Sequence, residues 1–401
     1  MPRSVRDAIA EGRVALPRIG EVTDGPGAWL PYVLLDADGG EVSVVSTYLR
    51  ALMVGDASPL TCKSYANDLL RWFRLLWMIK VPWQQATEGE VALLVSWMRN
   101  AENPQRRRQR TDSPAAGTVN LKTGKPSLER GYAKSTINHC MTGISNFYAH
   151  HARYGEGPVS NPVPENKARR RALGHRSPID ARKPFRRAPM RQKIPVKAPR
   201  SIPDEQWDEL FGAMTNNRDR ALMAFYVSSG GRASEVLEIR PGDVDWAKQR
   251  IYVVSKGTRL REPIPASPEA FHYLALYLDE YGMPEADGPV WRALRGDPRP
   301  LTYSALRRSL QRANGKLGTN WTLHDTRHTA AQRMNDSDKL SLTEVQTVLR
   351  HSELSTTGRY LQPRMDELVG KMTEFYAMPR ETATTFAPGY DPEDVKAVFG
   401  G

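Results

Sequence analysis

Apolar residues recur at spacings of three and four along much of the chain, which is the pattern of helices that bury one face. The clearest stripe lies within residues 61–80 and consists of Tyr65, Leu69, Trp72, Phe73 and Leu76. Similar stripes occur within residues 88–101 and 134–154. We therefore predict an all-helical unit over residues 43–165.

The first 42 residues show a different pattern. They contain an apolar run from Trp29 to Leu35 and a turn signal at Gly39-Gly40. This arrangement predicts a short hairpin. Because the segment is too short for a domain of its own, we treat residues 1–42 as an N-terminal extension.

A second folded part begins near residue 201, where acidic residues open a helix. Further helical stripes lie at about 219–229, 268–281, 303–317, 325–335, 341–350 and 363–376. Residues 251–265 instead form two short β-type runs around Lys256-Gly257, which predicts a hairpin. The predicted fold class is mainly α with a small β-hairpin or sheet (α+β), with a second domain over 201–376 and a tail over 377–401.

Composition limits the classes of protein to consider. The chain has 401 residues, of which 40% are hydrophobic and 25% charged, so two or three folded domains are expected. No apolar run is long enough for a membrane span, and the N-terminus lacks an apolar signal segment. Cys62 and Cys140 cannot form a disulfide framework and lack metal-ligand spacing. We expect a cytoplasmic protein without a membrane partner.

The positive charge is concentrated in one segment. The chain carries a formal net charge of +12, and residues 167–200 alone hold thirteen Lys and Arg residues against one acid, Asp180. Five prolines exclude a long helix there, so we predict an extended basic linker over 166–200. Such charge density favours tracking of a phosphate backbone, although a solvated tether is the alternative. The candidate DNA contacts are Arg170, Arg171, Arg182, Lys183, Arg186 and Arg187.

Four separated motifs in the second part carry candidate chemistry. They are the turn Ser229–Glu235 with Arg232 and Glu235, Lys256 at the hairpin tip, His324 with Arg327, and His351 with Tyr360. Each motif alone has an ordinary explanation, such as a surface ion pair, a solvated lysine, a capping pair or a core tyrosine. By chance, all four motifs would occur in this order far less often than any one of them alone.

This succession resembles the tyrosine recombinase (phage integrase) family over residues 43–376. The family pattern of Arg, Lys, His-x-x-Arg, His or Trp, and Tyr is matched in order by Arg232, Lys256, His324, Arg327, His351 and Tyr360, with Glu235 as the acidic residue of the first motif. This chain departs from the pattern at Gly231, Thr326 and Arg350, where a larger apolar residue, Leu and Gly are common. None of these departures removes a chemical group.

The resemblance implies a reaction that needs neither ATP, nor a metal, nor another cofactor. Arg232 and Arg327 would bind the oxygens of a DNA phosphate, because guanidinium groups stay charged and bind phosphate in a bidentate manner. Tyr360 would attack the phosphorus and form a 3′-phosphotyrosyl link. His324 would accept the tyrosine proton, and Lys256 would donate a proton to the leaving 5′-oxygen. His351 would donate a hydrogen bond to a phosphate oxygen, and Glu235 would orient neighbouring side chains.

The resemblance also implies an assembly. The helical unit and the catalytic domain would clamp double-stranded DNA at a recombination site, and four protomers would act together, with an accessory directionality factor as a further partner. The tail would pack on a neighbouring protomer, or else in cis. Two alternatives remain at this stage: a type IB topoisomerase-like enzyme, and a DNA-binding protein that kept the fold without the reaction.

Overall fold

A computed structural model gives the three-dimensional arrangement of the chain. It describes residues 3–104, 115–127, 129–165, 188–195, 199–255, 259–337 and 339–350, and Met372, Thr373, Ala377, Asp391, Glu393 and Ala397. The chain divides into two compact units, Met1–Val196 and Lys197–Gly401. No helix in the described ranges is both long and apolar enough to cross a bilayer.

In its described residues, the first unit has five α-helices and a two-stranded antiparallel sheet formed by β1 and β2. Its elements are α1 (Arg3–Ala10), β1 (Glu21–Gly27), β2 (Leu30–Leu35), α2 (Ser43–Val54), α3 (Pro59–Ile79), α4 (Glu88–Asn100) and α5 (Lys134–Ala152), with a short 3₁₀ turn at Trp83–Gln85. The predicted helices over 61–80, 88–101 and 134–154 are therefore present, with ends shifted by one or two residues.

Local sequence explains where these helices begin. The Ser58 hydroxyl accepts a hydrogen bond from the backbone N–H of Thr61 at 3.2 Å, and Pro59 occupies the first helical position of α3. At α4, Thr87 and Glu90 form a reciprocal capping box. Both arrangements satisfy backbone donors that a helix start otherwise leaves unpaired.

The core of the first unit includes the N-terminal segment. Ile9 of α1 and Leu34 of β2 are fully buried in the same apolar cluster as Trp72 and Phe147 of the long helices. Residues 1–42 do contain a hairpin, but its turn lies between Gly27 and Leu30, whereas the predicted turn signal at Gly39-Gly40 follows β2. The buried residues of β2 pack against the helices of this unit.

The end of the basic linker is attached to the first unit. The Arg191 guanidinium donates to the Asn138 carbonyl at 2.7 Å and to the Thr142 hydroxyl at 2.8 Å. Gln192 exchanges two hydrogen bonds with the Asn138 side chain. The six candidate DNA contacts between Arg170 and Arg187 lie outside the described residues.

The second unit combines seven described helices with a three-stranded antiparallel sheet in the order β3-β4-β5. Its elements are α6 (Asp204–Gly212), α7 (Asn217–Ser229), α8 (Ala233–Leu237), β3 (Val244–Asp245), β4 (Arg250–Val254), β5 (Arg261–Pro265), α9 (Pro268–Tyr281), α10 (Tyr303–Leu317), α11 (Leu323–Asn335) and α12 (Leu342–Leu349), with a 3₁₀ turn at Pro241–Asp243. The mainly α class with a small sheet is confirmed.

The centre of this unit is α7, which packs against α9 and α11. Its residues from Ala221 to Tyr226 are almost completely buried on every side, as expected for an apolar helix surrounded by others. The predicted helices over 268–281 and 303–317 are confirmed to the residue. The β4–β5 hairpin is also confirmed, while its tip with Lys256 lies outside the described residues, as does almost all of 363–376.

Candidate functional site

The first motif lies at the turn between α7 and α8. Gly230 ends α7 in a left-handed conformation with φ of 63°, which glycine adopts without strain. The Ser229 hydroxyl accepts a hydrogen bond from the Gly231 N–H at 3.1 Å and donates one to the Phe225 carbonyl at 2.6 Å. This turn brings Arg232 to the N-terminus of α8.

The two glycines of the turn are also required by close packing. A Cβ atom on Gly230 would lie 2.6 Å from Cδ2 of Leu349, and one on Gly231 would lie 2.6 Å from Cγ2 of Val236. The departure from the family pattern at Gly231 therefore has a local reason, since no larger side chain fits beside Val236 without a shift.

We expect Gly230→Ala to lower the free energy of unfolding by roughly 2–4 kcal/mol, from left-handed strain together with the clash on Leu349. Urea-induced unfolding followed by circular dichroism measures this loss. Gly318→Ala is the matched control, because Gly318 also ends a helix at φ of 68° but has no atom within 4 Å of the position that a Cβ would occupy. The control should lose only about 1 kcal/mol. Equal losses in the two variants would show that the contact with Leu349 is unimportant.

Arg327 connects three parts of the second unit. It lies on α11, whose start is fixed by a capping box between Thr322 and Asp325, and it is only 6% exposed. One guanidinium nitrogen donates to the Gly230 carbonyl, and the other donates to the Leu349 carbonyl at 2.5 Å. The Arg327 side chain thus joins the α7–α8 turn to the end of α12, immediately before residue 351.

Glu235 is the shared partner of two arginines. Its carboxylate accepts from the Arg232 guanidinium at 2.7 Å and from the Arg350 guanidinium at 2.5 Å. It also accepts from the Arg232 backbone N–H at 3.0 Å. Sequence reasoning assigns Glu235 an orienting role, but it identifies Arg350 only as a departure from the family pattern.

The charge state of Glu235 follows from these contacts. Burial acts to raise the pKa of the Glu235 carboxyl, but the hydrogen bonds from the Arg232 backbone and side chain and the positive charges of Arg350 and Arg232 outweigh it. The pKa therefore lies below its ordinary value, and the carboxylate stays ionised at neutral pH. Together the three side chains carry one net positive charge.

His324 lies in the first turn of α11, three residues before Arg327. Its side chain is exposed, and its ring packs edge-on against the ring of His328 with 4.2 Å between centroids. The first turns of α11 therefore carry one exposed imidazole, that of His324, and one buried cation, Arg327.

The structure thus pairs Arg232 with Glu235, and it holds Arg327 against the turn that precedes Arg232. His324 lies on the helix that carries Arg327. Lys256, His351 and Tyr360 lie outside the described residues. Within the described ranges, no group of three or more His, Cys, Asp or Glu side chains could hold a metal ion. The cluster of Arg232, Glu235 and Arg350 carries one net positive charge, and its partly exposed guanidinium, that of Arg232, is suited to binding an anion.

Comparison with known proteins gives consistent results. Residues 200–367 match the model of the phage integrase family. The tyrosine recombinase XerC of Chlamydia pneumoniae is 29% identical over 247 residues, which cover 59% of this chain and 70% of that protein. A tyrosine recombinase of Synechococcus elongatus is 26% identical over 336 residues, covering 82% of this chain and 92% of that protein.

A solved structure supports the same fold. The lambda integrase dimer bound to a COC′ core site superposes with a TM-score of 0.54 at 16% identity, over 80% of this chain and 76% of that one. At this identity the similarity establishes the fold alone. The family match spans Arg232, Lys256, His324, Arg327, His351 and Tyr360.

Proposed function

We propose that this chain, which belongs to the tyrosine recombinase (phage integrase) family, is a site-specific DNA recombinase that cuts and rejoins strands through Tyr360. The observation that carries the proposal is the contact of Arg327 with the carbonyls of Gly230 and Leu349. It joins the turn that presents Arg232 to the end of α12, after which the chain continues to His351 and Tyr360.

The two arginines supply what a phosphodiester requires. Nucleophilic attack on a DNA phosphate adds negative charge to its nonbridging oxygens, and fixed positive groups stabilise that charge most when they are already in place. Arg232 is one-third exposed and Arg327 is held by two carbonyls. We assign to both the binding of the scissile phosphate.

The bond changes balance without an external energy source. The Tyr360 oxygen forms a bond to phosphorus while the bond to the deoxyribose 5′-oxygen breaks. His324 accepts the tyrosine proton, Lys256 supplies a proton to the leaving oxygen, and His351 donates a hydrogen bond to the phosphate. Because the 3′-phosphotyrosyl link keeps the bond energy, a 5′-hydroxyl of another strand can reverse the step.

The partners follow from this reaction. The substrate is double-stranded DNA at a recombination site, and exchange of two pairs of strands requires four protomers. We assign phosphate contacts to the basic segment 167–200, whose charge is that of a polyanion-binding surface. We also propose that an accessory directionality factor is a further partner and that the protein acts in the cytoplasm.

The test is capture of the covalent intermediate. The full chain selects duplexes from a random-sequence pool, and the selected duplex is then rebuilt with a nick beside the cleavage position. The short 5′-hydroxyl fragment diffuses away, so the adduct cannot be reversed. We expect a protein–DNA species that survives SDS and heat, is removed by proteinase, and carries the nucleotide on the peptide containing Tyr360.

Other results would favour the alternatives. Tight sequence-specific binding without any adduct would indicate a DNA-binding protein that lacks the reaction. Relaxation of supercoiled plasmid by a monomer, without exchange between two sites, would indicate a topoisomerase-like enzyme.

A further inference from the structure

Glu235 has two positively charged partners that differ in burial. The Glu235 side chain is 2% exposed and that of Arg350 is 6% exposed, whereas that of Arg232 is 33% exposed. The Arg350–Glu235 pair is therefore an interior ion pair, and the Arg232–Glu235 pair lies at the edge of the interior. Of the two arginines, Arg232 is the one with access to a ligand.

A buried carboxylate cannot be left without a partner at low cost, because water no longer solvates its charge. If Arg232 were the only positively charged partner, its guanidinium could turn towards a phosphate only by leaving the Glu235 carboxylate with the Arg232 backbone N–H and no neutralising charge. With Arg350 in place, Glu235 keeps a buried cation at 2.5 Å. The guanidinium of Arg232 can then leave the Glu235 carboxylate and bind a phosphate.

The backbone at Arg350 indicates that the side chain is present for its charge. Arg350 follows α12 with φ of 51° and ψ of 49°, a left-handed conformation that favours glycine. In addition, Nε of Arg350 is buried without a hydrogen-bond partner among the described residues. An arginine with a strained backbone and one unsatisfied donor is an unfavourable way to fill space.

We propose that Arg350 is a positioning residue that keeps Glu235 paired while the Arg232 guanidinium engages the scissile phosphate. The Arg350 guanidinium itself does not contact the substrate. This inference rests on the proposed function, because it concerns the anion that Arg232 binds during strand cleavage.

The backbone and the charge can be separated by substitution. Arg350→Gly removes the guanidinium and relieves the left-handed strain at this turn, and this relief offsets part of the cost of leaving Glu235 with Arg232 as its only positively charged partner. Arg350→Met fills the space without a charge, and Arg350→Lys restores the charge on a different head group. The three variants together distinguish a role in packing from a role in charge.

The experiment is single-turnover cleavage of the nicked duplex by the full chain at saturating protein. We expect Arg350→Gly and Arg350→Met to bind the duplex within about twofold of wild type and to cleave it about 10- to 100-fold more slowly. Arg350→Lys should recover part of the rate. Melting temperatures of all variants check that each one is folded.

A double-mutant cycle tests whether Arg350 acts through Glu235. Glu235→Gln removes the charge that Arg350 neutralises, so in this background Arg350→Gly should slow cleavage by less than about threefold. If the two losses multiply instead, Arg350 does not act through Glu235 and the inference is overturned. A wild-type cleavage rate in Arg350→Gly, or a loss of DNA affinity that accounts for the slower rate, would overturn it as well.

If the proposed function is wrong, the experiment gives a result that differs from a failure of the Arg350 inference alone. In that case wild-type protein forms no adduct with any duplex that it binds, and the inference about Arg350 falls with it. When wild type forms the adduct, the rates of the variants decide on Arg350 alone.

Discussion

Tyr360→Phe is expected to bind the same duplex as wild type but to form no covalent adduct and to cleave at least about 1,000-fold more slowly. The substitution removes one oxygen atom, the one that would become bonded to phosphorus, and leaves the aromatic ring in place. Binding should persist because phosphate contacts from basic side chains provide most of the affinity for DNA. Gel shift and denaturing gels measure the two properties separately.

Tyr226 is a tyrosine of this unit whose hydroxyl is a poor alternative nucleophile. Tyr226 lies on α7, the helix that ends at Gly230, but it is 1% exposed and its hydroxyl donates to the Ala233 carbonyl at 3.1 Å. Burial raises the pKa of Tyr226 well above its ordinary value, so it is a poor source of a phenolate.

The matched control for this prediction is Tyr281→Phe. Tyr281 ends α9 and is 43% exposed, so the same loss of a hydroxyl there should leave adduct formation unchanged. An adduct that survives in Tyr360→Phe would place the nucleophile on another residue and would contradict the central step of the proposed mechanism.

The helices could be predicted from sequence because their signals are local. The stripe from Tyr65 to Leu76 and the proline at the start of α9 each define a helix without reference to the rest of the chain. The cap residues Ser58 and Thr87 act in the same way, since each bonds only to the first turn of its own helix. Elements of this kind are fixed by neighbours within four residues.

The place of the N-terminal segment could not be predicted in the same way. Residues Trp29 to Leu35 predict a hairpin, but the burial of Leu34 depends on helices that lie far away in the sequence. A short apolar segment must pack against another part of the chain, but its sequence does not identify that part. The sequence therefore predicts that a hairpin forms, but it does not identify the helices against which Leu34 packs.

Only the motif residues of the site could be predicted from the sequence. Arg232, Glu235 and Arg327 can be identified from their order and spacing. The contacts of Arg327 with the Gly230 and Leu349 carbonyls join segments that are distant in the sequence, and the sequence does not show them. The pairing of Arg350 with Glu235 spans 115 residues, and nothing in the local sequence specifies it. The available signal was an arginine at the last position of the helix predicted over 341–350, where glycine is common in the family, next to the candidate His351.

Arg327→Lys is expected to slow cleavage by about 100- to 1,000-fold, although the charge is kept. The Arg327 guanidinium donates to the Gly230 carbonyl with one nitrogen and to the Leu349 carbonyl with the other. A lysine has a single nitrogen on a flexible stem, so it cannot hold both carbonyls in the same geometry. The α7–α8 turn with Arg232 and the end of α12 would then no longer be fixed with respect to each other.

The same substitution should also reduce stability. One buried carbonyl of the pair loses its partner, which costs about 1–3 kcal/mol in the free energy of unfolding. Arg333→Lys on the same helix is the control, because the Arg333 side chain is 39% exposed and pairs with the exposed Asp204, so the loss there should stay below about 0.5 kcal/mol. Urea-induced unfolding and single-turnover cleavage measure the two effects. If Arg327→Lys cleaves as fast as Arg333→Lys, a positive charge alone is sufficient at this position, and the two-carbonyl contact does not organise the site.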